Sequence, residues 1–384
     1  MTATDLRRTT PESANNDVRA ERCRRVTWTA AAGVVAVAVG LCLALWAFLV
    51  PVLRFYCMCS DIVLYWTQSL AWRTPFDSDH VPGYPLIIAL VRLLTANRLP
   101  ALPLMWGLAA AANALGAVAV YAVVVRYADE RIAFGSVVLY LLWPLVGTTY
   151  VVYPVADGTA LALLTAAAGL LLSRRFHWAA LLLGVAAVIH KGTWVFAVLF
   201  VFAAMVTERR RMPWGALLIL ALPLTALWIA GMRVAHYSPL WLVNVSIPIQ
   251  FGSRSQFPVM DGLLGTVLYR GARGLVKGVV LWAHVALIVA LWVAVVRGRV
   301  QATRWYAVAI LSGMSFLYVG LNQDIVWAAV RFSRLLAVPI GWEAGIRWRD
   351  RPRGARDVPI AAAIILLLLA MQFAYCWYMA RGSV

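Results

Sequence analysis

Residues 178–206 read WAALLLGVAAVIHKGTWVFAVLFVFAAMV, an apolar run interrupted once, at His190-Lys191-Gly192. The run is too long for one ordinary membrane crossing, and basic clusters flank it on both sides, Arg174-Arg175 before and Arg209-Arg210-Arg211 after. Arginine-rich loops concentrate on the cytoplasmic face of a bilayer, so a single crossing would strand one cluster on the wrong side. Breaking the run at His190-Lys191-Gly192 gives two half-length helices that return the chain to the side it left. The lysine then sits at membrane depth, pointing to the outer side, and such a break is tolerated only where it lines a cavity.

The rest of the chain supports this reading. Of 384 residues, 63% are hydrophobic and only 13% charged, and apolar runs recur throughout, so a soluble core cannot absorb them. The composition predicts an all-α polytopic membrane protein with about ten to twelve crossings. A net charge of +18 is here the signature of cytoplasmic loops, because the arginines are scattered between spans; it does not point to nucleic acid. The five cysteines, Cys23, Cys42, Cys57, Cys59 and Cys376, form no disulfide framework. Residues 1–26, polar and arginine-bearing, read as a disordered cytoplasmic tail before an uncleaved first span.

Alternating apolar runs with arginine clusters places the spans. Residues 27–52 lead outward to a first outer loop, 54–98, in which 84–94 is a short dipping helix, about 16 Å against the roughly 30 Å of hydrocarbon. Span 99–125 returns inward, 132–151 goes out to a hairpin holding Tyr153, Pro154 and Asp157, and 158–172 comes back. After the broken run, 214–232 leads to an outer loop at 233–274, and 275–296 returns inward. Residues 305–321 and 325–340 then form an outward and an inward span, and 358–379 ends outside, with 381–384 as an outer tail. The domain is thus 27–380.

This alternation collects most of the unusual polar residues on one face. The first outer loop holds Asp61, at the head of a surface helix in which Ile62, Tyr65, Trp66, Ser69, Leu70 and Trp72 recur at helical spacing, followed by Asp77, Asp79 and His80 in a proline-rich turn. Asp157, His190, Lys191, Asp324, Arg331 and Arg334 join them. Asp77-Ser78-Asp79 has a spacing suited to oxygen ligation of a divalent cation such as Mg or Mn. Lys191 and Arg331 cost about 2.5 to 3.5 kcal/mol each to bury near a bilayer centre, which points to a retained partner. Arg331 and Arg334, three residues apart, can face one side of one helix.

Three stretches resemble the GT-C superfamily of integral-membrane glycosyltransferases. They are Asp61 with Tyr65 and the closing His80-Val81-Pro82-Gly83-Tyr84-Pro85-Leu86; Tyr153-Pro154-Val155-Ala156-Asp157 followed by the span broken at Lys191; and Val330-Arg331-Phe332-Ser333-Arg334-Leu335-Leu336-Ala337-Val338-Pro339. The resemblance covers most of the chain in topology and some thirty residues in motif. It implies a GT-C-like fold, a lipid-phosphate-linked sugar donor, transfer on the outer face and an aspartate of the first loop as general base. The chain departs from larger members in lacking an appreciable soluble C-terminal domain, and looks closer to the smaller polyprenyl-phosphate-sugar-dependent mannosyl-type transferases.

The residue types suit that chemistry. Inverting transfer needs a carboxylate to take the acceptor's hydroxyl proton, the role expected of Asp61, and fixed cations to receive a leaving lipid phosphate. Lys191, Arg331 and Arg334 are the expected cations, with Arg254 a weaker one; Asp77, Asp79, His80, Tyr84, Asp157 and His190 complete the expected substrate-binding set, with Asp77 and Asp79 as metal ligands. Expected partners are the polyprenyl-phosphate sugar, membrane lipids, and a glycan, lipid or protein acceptor. A transporter or flippase of a lipid-linked or anionic substrate is the alternative, since it too would carry broken helices and buried cations.

Overall fold

A computed structural model describes residues 27–49, 60–76, 81–143, 156–208, 213–241, 271–297, 301–319, 331–347 and 362–372. Among these residues the chain is all-α, with thirteen helices and no strand. They are α1 (Trp28–Leu49), α2 (Ser60–Gln68), α3 (Gly83–Leu94), α4 (Ala101–Val124), α5 (Glu130–Leu141), α6 (Ala156–Leu172), α7 (Phe176–Ile189), α8 (Thr193–Glu208), α9 (Trp214–Val234), α10 (Gly271–Arg297), α11 (Gln301–Val319), α12 (Ala337–Arg347) and α13 (Ala362–Gln372). Three helices are long and apolar enough to cross a membrane, Trp28–Ala47, α4 and α9, and shorter apolar helices accompany them. Burial fits that setting. In α1 only the stripe of Val34, Ala38, Cys42 and Leu45 is buried, and α9 leaves Trp214, Leu218, Leu222 and Ile229 exposed.

The centre is α4 against α6. Both are rich in alanine and glycine, and small side chains let membrane helices approach closely. Gly158 faces Asn113 and Gly169 faces Val123, so the two helices run parallel. Tyr140 of α5 lies against Gly116, where any Cβ would overlap its hydroxyl, so α5 runs the other way. Helix α7 is antiparallel to α6, since Asp157 at the start of α6 meets His190 at the end of α7. Gly184 packs on Leu220 and Pro223, and Gly215 near His177, so α9 follows α7 in parallel. Phe196 meets Gly313 while Phe200 meets Tyr306, so α8 and α11 are antiparallel.

These directions sort the turns into two ends. One end holds Arg126 after α4 and Arg131 in the first turn of α5, Arg174 and Arg175 between α6 and α7, Arg297 at the end of α10 and Arg304 in the first turn of α11. The other holds the starts of α4, α6 and α8, the α7–α8 break, and residues 331–336 leading into α12. The break falls at His190-Lys191-Gly192, as the charge pattern requires: α7 ends at Ile189 and α8 begins at Thr193.

Several expected boundaries move. The surface helix stops at Gln68 instead of running to Trp72, because Thr74 Oγ1 donates to Gln68 O (2.6 Å) and Ala71 O (2.8 Å) and folds the chain into a 3-10 turn, Thr74–Phe76. Leu70 and Trp72 are consequently exposed. Helix α3 starts earlier than expected, at Gly83, since a proline at position 85 still falls in the first turn, where no intrahelical N–H is needed. Gly83 is obligatory there: a Cβ would overlap the Val188 carbonyl.

Of the span expected over 132–151, residues up to Leu141 are helical within α5, and 144–151 lie outside the described residues. The carbonyls of Leu142 and Trp143 both accept from Gln372 Nε2 of α13. Asp157 belongs to the first turn of α6, not to the preceding hairpin. The last inward segment passes Ile340 and reaches Arg347, since Gly341 and Gly345 leave room for Ser136 and Ala128. Residues 1–26 and 381–384, Cys23, Cys57, Cys59, Cys376 and most of the expected outer loop 233–274 lie outside the described residues; Cys42 is a buried free thiol.

Candidate functional site

Three chain segments distant in sequence converge where α7 breaks. Helix α7 stops because His190 turns extended (φ −145°, ψ 125°), and Thr193 Oγ1 donates to the His190 carbonyl at 2.7 Å, starting α8 at once. The backbone N–H of Gly192 donates to His190 Nδ1 (3.0 Å), so Nδ1 is an acceptor and the ring proton sits on Nε2. That Nε2 lies 3.0 Å from Asp157 Oδ1. On the other oxygen, Arg331 Nη1 donates to Asp157 Oδ2 at 2.7 Å. Phe332 flanks the histidine ring at 5.1 Å and stacks on Phe196 at 5.8 Å, which fixes the segment carrying both arginines.

Arg334 lies one turn further along. Residues 333–336 form a 3-10 turn; Arg331, just before it, meets Asp157 and Arg334, within it, lies by Gly158, so both face the start of α6. Arg334 is 1% exposed; its Nη1 donates to Asn113 Oδ1 at 2.5 Å, and its guanidinium lies 4.8 Å from the centre of the Tyr140 ring. Asn113 spends its amide N–H on the Ala109 carbonyl (2.7 Å) and is itself fully buried. Ser333, between the arginines, accepts from Trp143 Nε1 at 2.7 Å. Lys191 is half-buried in the turn of the break.

Asp157, His190 and Arg331 therefore form one cluster, with Arg334 and Lys191 beside it. Asp157 gives Oδ2 to Arg331, while Oδ1, 3.0 Å from His190 Nε2, makes no aligned hydrogen bond among the described residues. Tyr84 lies in the adjoining core. It is fully buried, edge-on to Tyr65 at 5.2 Å, and is a core residue because α3 packs against α2 and α7.

Asp77, Asp79, His80, Arg254 and Asp324 lie outside the described residues, as does the side chain of Asp61. The backbone of Asp61 opens α2, and its neighbour Ile62 shares one buried cluster with Ala156 and Ile189, the residues immediately before Asp157 and His190. Arg92 of α3 holds α2 in place, donating to Ser69 O at 2.7 Å and covering the Trp66 ring at 4.7 Å. Among the described residues no group of three or more His, Cys, Asp or Glu is placed to hold a metal.

Sequence reading missed Asn113 and Tyr140. The signal for Asn113 was a lone amide in the middle of an alanine-rich span, where a polar side chain needs a partner. Tyr140 gave none. The chain matches no family model and no curated protein.

Proposed function

We propose that this protein is an integral-membrane glycosyltransferase of GT-C type, moving a sugar with inversion from a polyprenyl-phosphate donor to a lipid, glycan or protein acceptor. In this reading Asp61 takes the proton of the acceptor hydroxyl as its oxygen attacks the anomeric carbon. The bond from that carbon to the phosphate oxygen breaks, and the lipid phosphate leaves with the electron pair. Lys191, Arg331 and Arg334 supply the positive field that receives it, and helices α6 and α8 begin at the same end, adding the positive poles of their dipoles. His190 and Asp157 set the direction of Arg331.

The observation that carries the reading is the buried cluster of Ile62, Ala156 and Ile189, which brings the Asp61 helix to the end where the cations gather. Arg331 and Arg334 gather there near one carboxylate, Asp157, among the described side chains, with Lys191 next to His190 in the chain, a balance that suits a phosphate. The arginine-bearing turns lie at the opposite end, which under the positive-inside rule supports reading this site as extracytoplasmic, in a bacterial-type cell membrane. Asp77 and Asp79 are assigned to a divalent cation or to the acceptor.

The test is transfer by the purified protein supplied with polyprenyl-phosphate sugars or with nucleotide sugars. Transfer from the lipid-linked donor alone is expected, and turnover with a nucleotide sugar alone would refute the reading. The helix break at His190 also suits a transporter of an anionic lipid. Movement of a labelled polyprenyl phosphate across a proteoliposome bilayer, without any sugar transfer, would select that alternative.

A further inference from the structure

The two arginines of residues 331–336 do not stand alike. Arg331 is paired: its Nη1 and Asp157 Oδ2 are 2.7 Å apart, and His190 Nε2 lies 3.0 Å from the other carboxylate oxygen. Arg334 is more deeply buried and has no carboxylate among the described residues; its Nε and Nη2 have no hydrogen-bond partner there. An uncompensated buried guanidinium costs several kcal/mol, and buried donors left unsatisfied add to it. Something must offset that.

The free edge of Arg334 has a definite direction. Asn113 Oδ1 fixes Nη1, and the amide cannot rotate away because its nitrogen is held by the Ala109 carbonyl. Tyr140 supports the guanidinium plane. Nη2 is left aimed at Gly158 in the first turn of α6, so close that a Cβ there would lie 3.5 Å from it. That turn belongs to a helix of 17 residues, whose first backbone N–H groups have no intrahelical acceptors. Free guanidinium donors and a helix start meet without a side chain between them, a geometry made for phosphate oxygens.

We propose that Arg334, aimed by Asn113 at the first turn of α6, is the residue that grips a phosphate monoester, while Arg331, paired with Asp157, adds its charge without gripping the ligand. The lipid-linked source of that phosphate rests on the glycosyltransferase reading; the site itself does not. Asn113 acts through Arg334 and touches no ligand.

The experiment is equilibrium binding to the full-length protein in detergent with three probes: farnesyl phosphate, farnesol and inorganic phosphate. Wild type is expected to bind farnesyl phosphate more tightly than farnesol. Asn113→Asp keeps the acceptor oxygen but neutralises Arg334, and Arg334→Gln removes the charge. Each should weaken farnesyl phosphate by about tenfold or more and leave farnesol unchanged. Asn113→Asp carries the test if Arg334→Gln does not fold. The paired change Asp157→Asn with Arg331→Gln should weaken farnesyl phosphate at least threefold less than Asn113→Asp does.

Unchanged farnesyl phosphate affinity in Asn113→Asp, an equal loss for farnesol, or a larger loss in the paired variant would each overturn the assignment. Inorganic phosphate competing as well as farnesyl phosphate would overturn the lipid source and leave a site for a free anion. Failure of the glycosyltransferase reading would look different, as intact phosphate selectivity without sugar transfer.

Discussion

The two ends of the bundle use the same residue for different purposes. At one end Arg131, Arg174, Arg175, Arg297 and Arg304 are exposed at helix ends or in the turns between them, and Arg126 donates to the Gly169 carbonyl at 3.2 Å. At the other end Arg331 and Arg334 are drawn in among helices and held by Asp157 and Asn113. Solvent screens the first group, so its influence lies in which side of a bilayer the turns occupy. The second group sits where water is scarce and each charge needs a partner. Burial, not residue type, separates the two groups of arginines.

The largest effect expected at the buried end is on rate. Asp61→Asn should reduce transfer by about 10² to 10⁴-fold, the range for loss of a general base, with expression and folding retained. Single-turnover assays with a polyprenyl-phosphate sugar measure this, and near-normal turnover would move the base to Asp77 or Asp79.

Next comes Asp157→Ala, which removes the partner of Arg331 and of His190 together. Breaking a buried pair costs about 3 to 5 kcal/mol; the lower figure is expected because Arg331 keeps some access to solvent. Thermal denaturation in detergent reads it, and a loss under about 1 kcal/mol would show that the cluster is not structurally coupled.

A smaller change is expected from Arg331→Lys. The ammonium still meets Asp157 but cannot reproduce the planar fork, so about 1 kcal/mol of stability and less than tenfold in turnover should be lost. A deeper loss in turnover would place Arg331 against the ligand and shift the contrast between the two arginines. The smallest effect belongs to the exposed end. Arg174→Gln and Arg175→Gln should each change stability by no more than about 0.5 kcal/mol. Their combination should instead weaken orientation, read by reporter fusions after residue 211 and after residue 261, which in wild type should report opposite sides.

Much of this was legible in order along the chain. The break at His190-Lys191-Gly192 follows from two basic clusters that one crossing cannot keep on the same side, and the structure ends and restarts the helix at those residues. The arginine turns, the direction of each helix relative to the next and the sharing of one end by Asp157, His190, Lys191, Arg331 and Arg334 follow from the same alternation. Boundaries were less legible. Trp72 fits the helical spacing of Ile62 and Tyr65, yet Thr74 captures the carbonyls of Gln68 and Ala71 and ends the helix first.

What the sequence by itself determined is therefore the all-α class and the gathering of polar residues at one end, because hydrophobic length and charge distribution are local properties of consecutive residues. Which charge answers which was decided only by tertiary structure. Asn113 and Arg334 are 221 positions apart, Asp157 and Arg331 174. No periodicity links such positions. Small residues along α4 and α6 let the helices close to the distance at which Gly158 faces Arg334, and that contact makes one arginine a locked ion pair and leaves the other with donors to spare.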